Sequence, residues 1–202
     1  MAQAALSRRE QNKAEKRGRI IAAAHALFAH KGFEATTTLE IAEAAGVAAG
    51  TLFLYAKTKD DLLILVFREE MTELVERAYG FAKHEQALID QLIAFFGTFV
   101  AYHERDLPLA RALMRQLGYV ASGEQRAEVN ELMTGLLRRL ALLIEAAKGR
   151  GEARADTPLM GGAQAVFGIY YLNLGKLLSG FVNREQFDRD LKGQLALLLS
   201  GL

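Results

Sequence analysis

One stretch constrains this chain more than any other. Residues 33–63 read FEATTTLEIAEAAGVAAGTLFLYAKTKDDLL. The spacing predicts a short helix, a tight glycine turn and a second short helix. That is the layout of a helix-turn-helix, which lays its second helix in the DNA major groove. Thr37 is a plausible N-cap, and Glu40, three residues on, can reach back to its backbone N–H to complete a capping box. Ile41, Ala42 and Ala45 fall at helical spacing and face inward. Gly46 follows as the C′ residue, where a left-handed backbone suits glycine. Val47 plugs the turn, and a second helix runs from about Ala48 to Tyr55 with Leu52 in the core. Thr58 and Asp61 make a second capping box that starts the next helix.

Several residues of this unit are placed to meet DNA. They are Thr37, Thr38, Ala48, Ala49, Gly50, Thr51, Phe53, Leu54, Tyr55, Lys57 and Lys59. Gly50 lets a phosphate or base edge come close, Thr51 and Tyr55 offer hydroxyls, and the two lysines flank the end of the unit where phosphates lie. An ordinary helical hairpin would share the alanines and the glycine turn; order and context separate the two.

The run from Arg19 to Leu63 resembles the DNA-binding domain of the tetracycline-repressor (TetR) family of transcriptional regulators. The resemblance rests on Ile20, Ala23, Ala24, Leu27 and Phe28, then Lys31-Gly32-Phe33 and Thr36-Thr37. It continues through Ile41-Ala42, Ala45-Gly46-Val47, Gly50-Thr51-Leu52 and Lys57-Thr58-Lys59. It spans about 45 of 202 residues. It implies a homodimeric, ligand-responsive repressor. The departures are chemical. Ala48 and Ala49 stand where the family favours polar or basic residues. Phe53 replaces a usual tyrosine, and Leu54 and Leu39 occupy positions that are often polar. These changes keep the fold signal but remove hydrogen-bond donors from the DNA face.

Charge supports the reading. The net charge is only +1, yet residues 1–60 carry 9 Lys/Arg against 6 Asp/Glu, while the remainder carries 16 against 18. Arg8, Arg9, Lys13, Lys16, Arg17 and Arg19 make a basic arm ahead of the helix-turn-helix, suited to phosphates and expected to be mobile without DNA. The chain has no cysteine, so no disulfide framework, thiolate metal site or cysteine nucleophile is expected. The N-terminus lacks the apolar core of a signal peptide, and no apolar run approaches the roughly 20 residues of a membrane span. A soluble, cytoplasmic protein is expected.

No strand pattern appears, and the fold class is all-α with about nine helices. Residues 1–58 form the N-terminal helix-turn-helix domain with its basic arm, and residues 59–202 a C-terminal ligand-binding and dimerisation domain. Expected helices cover about 11–30, the two of the motif, 59–79, 85–103, 108–117, 124–147, 158–182 and 184–200, with a polar loop at 149–157. Pro108 and Pro158 sit where they can start helices.

Two features of the second domain carry function. Phe96, Phe99, His103, Met114, Met133, Phe167, Tyr170 and Tyr171 are candidates to line an apolar cavity for a small effector. Such stripes are equally the stuff of an ordinary core. The eighth helix interleaves small residues with aromatics, and glycine within a helix costs roughly 0.5–1 kcal/mol relative to alanine. Gly168, Gly175 and Ser179 with Leu191, Leu195 and Leu198 of the ninth helix are therefore candidates for a dimer interface, as the resemblance implies. No metal site, cofactor or catalytic constellation is expected. The histidines (His25, His30, His84, His103) do not cluster, and Asp60-Asp61 and Glu69-Glu70 read as capping and solvated-face charges. The expected partners are an operator duplex, a small mostly apolar effector and a second copy of the chain. Two recognition helices would then meet successive major grooves roughly 34–36 Å apart. The alternative is a small-molecule-binding dimer whose sequence-specific DNA binding is weakened or lost.

Overall fold

The computed structural model describes residues 7–82, 86–117 and 124–201. Among these it contains nine helices and no strand: α1 (Arg8–Lys31), α2 (Thr38–Ala44), α3 (Ala49–Leu52), α4 (Lys59–Phe81), α5 (Leu88–His103), α6 (Leu107–Leu117), α7 (Glu124–Gly149), α8 (Leu159–Leu178) and α9 (Arg184–Leu199). His84 lies outside the described residues.

Local chemistry sets most of the ends. The Thr37/Glu40 and Thr58/Asp61 capping boxes are both formed, and Asn183/Gln186 starts α9 the same way. At Gly46 the backbone turns left-handed at φ 63°. Its N–H donates to the Glu43 carbonyl and that of Val47 to the Ala42 carbonyl, both at 3.0 Å. This is the paired C-terminal arrangement that closes a helix on a left-handed residue.

Four boundaries differ from expectation by three residues or more, and one of them is the start of α5, at Leu88 rather than near 85. α1 begins at Arg8 rather than near residue 11, because Ser7 and Glu10 form one more capping box. The basic arm is thereby helical from Arg8 onward. α3 ends as an α-helix at Leu52 and not at Tyr55. Ala48 has no side-chain oxygen to cap it, and beyond Leu52 the bonds of Leu54 to Thr51 and Tyr55 to Leu52 tighten to i+3 spacing. α8 stops at Leu178 instead of residue 182, because Gly180 turns left-handed at φ 79° and Phe181 N–H returns to the Lys176 carbonyl at 3.0 Å.

α4 is the axis of the molecule. Leu62, Leu63, Ile64, Leu65, Val66 and Phe67 are buried in succession, so after its charged first residues this helix is apolar on every side over that stretch. It packs on α1 at one flank and on α5, α6 and α7 at others, while α8 lies between α7 and α9. Other ties are polar. The Glu152 carboxylate accepts from Leu88 N–H at 2.6 Å, pinning the start of α5 to the loop after α7. Asn173 donates to Gln194 at 2.8 Å between α8 and α9. Among the described residues no helix is long and apolar enough to cross a membrane.

Candidate functional site

The first three helices build one surface. Ile41, Ala42, Ala45, Leu52 and Ala56 are buried, and this fixes α3 against α2 with its other side outward. Leu54 is 83% exposed, Leu39 58% and Phe53 46%. Ala48 and Gly50 are also exposed, and Thr38, Ala49, Thr51 and Tyr55 are half-buried. Beside them α1 supplies cations. Arg8, Arg9, Asn12, Lys13 and Lys16 line an open groove together with Thr51, Leu54 and Tyr55. The Tyr55 hydroxyl donates to the Lys13 carbonyl at 3.3 Å and so holds the basic helix against the recognition turn.

Two further residues expected on this surface are also occupied by the fold. Lys59 Nζ donates to the carbonyls of Phe33 at 2.8 Å and Glu34 at 3.0 Å, and lies 4.6 Å from the Phe33 ring centre. Its ammonium closes the link between α1 and α2. Thr37 Oγ1 donates to Glu40 and accepts the Glu40 N–H, as an N-cap does. Lys31 pairs with Glu40, and with the Thr37 bonds this lowers the Glu40 carboxyl to about 2. Lys57 keeps an exposed side chain.

A cavity of about 290 Å³ opens among α4, α5, α6, α7 and α8. Phe99, His103, Met114, Met133, Phe167, Tyr170 and Tyr171 line it, seven of the eight residues read from the sequence. Phe96 does not line it: it is fully buried behind, stacked on the Tyr170 ring at 4.3 Å and 8°. Sequence reading missed the α4 wall, Phe67, Met71 and Val75, because nothing in their spacing separates a cavity wall from a core. His103 Nδ1 and the Tyr170 hydroxyl are buried with no hydrogen-bond partner. Burial lowers the His103 imidazole to about 4, so it is neutral near pH 7, and it raises the Tyr170 hydroxyl.

A second cavity, of about 250 Å³, lies where α1 meets α4, α5 and α6. Phe67 and His103 line both cavities and so form the wall between them. On its polar side His25 Nε2 lies 2.7 Å from Glu70 Oε1, and the Tyr102 hydroxyl donates to the other oxygen of Glu70. Beside it Glu69 pairs with Arg17 of α1 at 2.5 Å and with Arg68 at 2.7 Å. Glu69 and Glu70, read from sequence as solvated-face charges, therefore tie α1 to α4. Their partners lie far away in the chain, and no local pattern announces them.

The residues proposed from sequence for a dimer face divide in two. Leu191 and Leu195 are buried in the chain's own core. Side chains at i and i+4 on α9 point to one face, and that face is covered by α5 and α8. Gly168 and Ser179 are exposed, with Gly175 and Leu198 half-buried. A Cβ at Gly168 or Gly175 would meet no atom within 4 Å, so nothing inside the chain requires glycine there. Leu172 and Leu197, exposed by 63% and 76%, extend the surface.

Comparison with known proteins agrees with this architecture. The sequence model for the bacterial regulatory proteins of the tetR family matches residues 20–66. The chain is 30% identical over 159 residues to the fatty acid metabolism regulator protein of Bacillus subtilis, covering 78% of this chain and 81% of that one. The crystal structure of the transcriptional regulator FadR from Bacillus subtilis in complex with stearoyl-CoA superposes with a TM-score of 0.68 at 26% identity, over 91% of this chain and 98% of that one. FadR of Thermus thermophilus, a TetR-family repressor in complex with lauroyl-CoA, superposes with a TM-score of 0.74 at 24% identity, over 92% and 94%.

Proposed function

The chain belongs to the TetR family of bacterial regulatory proteins, and on that premise we propose a homodimeric repressor released from its operator by a long-chain acyl-CoA or a similar acyl compound. The domain boundary falls between residues 58 and 59, where Thr58 caps α4. The DNA contacts come from Thr38, Ala48, Ala49, Gly50, Thr51, Phe53, Leu54, Tyr55 and Lys57, with phosphates met by the cations of α1. Thr37 and Lys59 hold the unit in shape.

The cavity among α4, α5, α6, α7 and α8 carries the effector reading. Its wall is apolar and aromatic, which suits an acyl chain. A buried donor or acceptor without a partner costs about 1–3 kcal/mol. His103 Nδ1 and the Tyr170 hydroxyl are two such atoms on residues of this wall. A ligand carrying a carbonyl beside its apolar chain offers the Tyr170 hydroxyl an acceptor. The stearoyl-CoA and lauroyl-CoA of the two FadR complexes have this chemistry.

The surface of Gly168, Leu172, Gly175 and Ser179 with Leu197 and Leu198 is the dimer face, because small residues with open space before them let a partner helix come close. Leu191 and Leu195 support it from within.

Selection from a random duplex library tests the reading. Near-palindromic sequences are expected, and Thr51→Ala weakens their capture. Stearoyl-CoA then lowers affinity for the selected duplex tenfold or more, which needs only about 1.4 kcal/mol of differential binding. Specific duplex binding untouched by acyl-CoA of any chain length would remove the acyl effector. The apolar recognition turn favours one second reading, a ligand-binding dimer that no longer reads sequence. A folded dimer that binds acyl-CoA but enriches no duplex would establish it.

A further inference from the structure

The recognition turn lacks every side chain that reads a base by paired hydrogen bonds. Guanine is read by Arg or Lys, adenine by Asn or Gln, and cytosine by Glu or Asp. Ala48, Ala49, Gly50, Thr51, Phe53, Leu54 and Tyr55 include none of these. The hydroxyls are few, and Tyr55 already donates to the Lys13 carbonyl. What the turn does present is apolar surface. Leu54 is 83% exposed in a domain whose other recognition-turn leucine, Leu52, is fully buried.

Leu54 is also in a particular place. It lines the same groove as Arg8, Arg9, Lys13 and Lys16. Those cations draw the phosphates of a duplex to this groove and bring base edges to the leucine. Of the groups in the major groove, the thymine C5-methyl is the one that an aliphatic side chain can recognise.

The geometry points to Leu54 as a thymine reader: each half-site of the operator carries a thymine whose methyl group packs on this side chain. This rests on the proposed operator binding and names its chemistry. The recognition is by shape and exclusion of water, with positioning left to the basic helix.

Deoxyuridine tests it, since it differs from thymidine by that methyl alone. The operator is first selected with the full chain, and each thymine is then replaced in synthetic duplexes. At the position under Leu54 the replacement weakens binding about fourfold per half-site, the worth of one buried methyl. Leu54→Ala weakens the thymine operator and erases the difference between thymine and deoxyuridine there. Being exposed, Leu54 can be truncated without unfolding the domain. An operator with no deoxyuridine-sensitive position overturns the inference. So does a sensitivity that survives in Leu54→Ala, or one that is lost in Phe53→Ala instead. A folded dimer that selects no operator at all overturns operator binding itself, and this inference falls with it.

Discussion

Arg17 in α1 and Glu128 in α7 meet at 3.4 Å although 111 residues separate them in the chain. Arg68 of α4 reaches the same carboxylate, also at 3.4 Å. Glu128 adjoins Val129, which lines the larger cavity with Asn130, Leu132 and Met133. The pair therefore joins the DNA-binding helices to the wall an effector would push. Glu128→Gln keeps the shape and removes the charge. Partly exposed pairs are worth about 0–1 kcal/mol, so a loss of up to about fivefold is expected in the ratio of operator affinities with and without acyl-CoA, with little change in ligand affinity. An unchanged ratio would show that the pair is only structural.

His103 makes stability depend on pH. Its folded-state value of about 4 lies below the ordinary 6.5 because burial disfavours the charged ring. Between pH 6.5 and 4 the unfolded chain binds the extra proton and the folded chain does not. Stability is therefore full above about 6.5 and falls as pH drops through that window, at up to about 1.4 kcal/mol per unit. Urea midpoints of the wild type and His103→Leu, compared at several pH values, isolate the effect from carboxylates common to both. Parallel curves for the two proteins would refute it.

The turn of the helix-turn-helix penalises a side chain at Gly46, where φ is 63°. Gly46→Ala forces a left-handed residue, a cost of about 1–2 kcal/mol. Its new Cβ also comes within 3.3 Å of Arg19 Nη1. Thr58→Ala removes the cap of α4 and costs about 1 kcal/mol. Denaturant unfolding should rank both below wild type, with near-additive losses, because they act at different helix ends. A stable Gly46→Ala protein would contradict the left-handed backbone at that turn.

Charge on the face of α8 and α9 should separate the protomers. Leu172→Glu combined with Leu197→Glu puts two carboxylates per chain on that surface without touching the core. Sedimentation is expected to show monomers, and operator affinity to fall by tenfold or more because one half-site is then bound alone. A dimer that persists would place the interface elsewhere.

The basic face of α1 should appear in the salt dependence. Arg8→Ala, Arg9→Ala, Lys13→Ala and Lys16→Ala together remove four cations per protomer. The slope of log affinity against log salt then shallows by about 0.9 for each phosphate these cations no longer neutralise. An unchanged slope would take α1 off the backbone.

Local signals made many helix ends legible, although the Ser7/Glu10 capping box and the left-handed Gly180 are just as local and went unread. The capping boxes at Thr37, Thr58 and Asn183 and the left-handed Gly46 are dictated by residues within four positions of one another. Seven cavity residues were legible as aromatic, histidine and methionine side chains on the apolar helices α5, α6, α7 and α8. The rest of what escaped was tertiary. Phe96 and Tyr171 look alike in sequence, yet one is stacked in the core and the other lines the cavity. Lys59 reads as a phosphate ligand until the carbonyls of Phe33 and Glu34 are seen to claim it. Glu70 gains its role only when the fold brings His25 and Tyr102 to it.

The six consecutive buried residues at the start of α4 restrict how the molecule can move. A helix gripped on all sides cannot slide or spin there without repacking the helices that grip it, but it can swing. At 1.5 Å per residue its 23 residues span about 34 Å, so a swing of about 10° displaces the far end by about 6 Å. A cavity that swells by the width of a methylene chain works near the middle of this pendulum. A shift at the middle of α4 would therefore reach the DNA-binding helices only by turning the gripped segment together with the α1 helix packed on it.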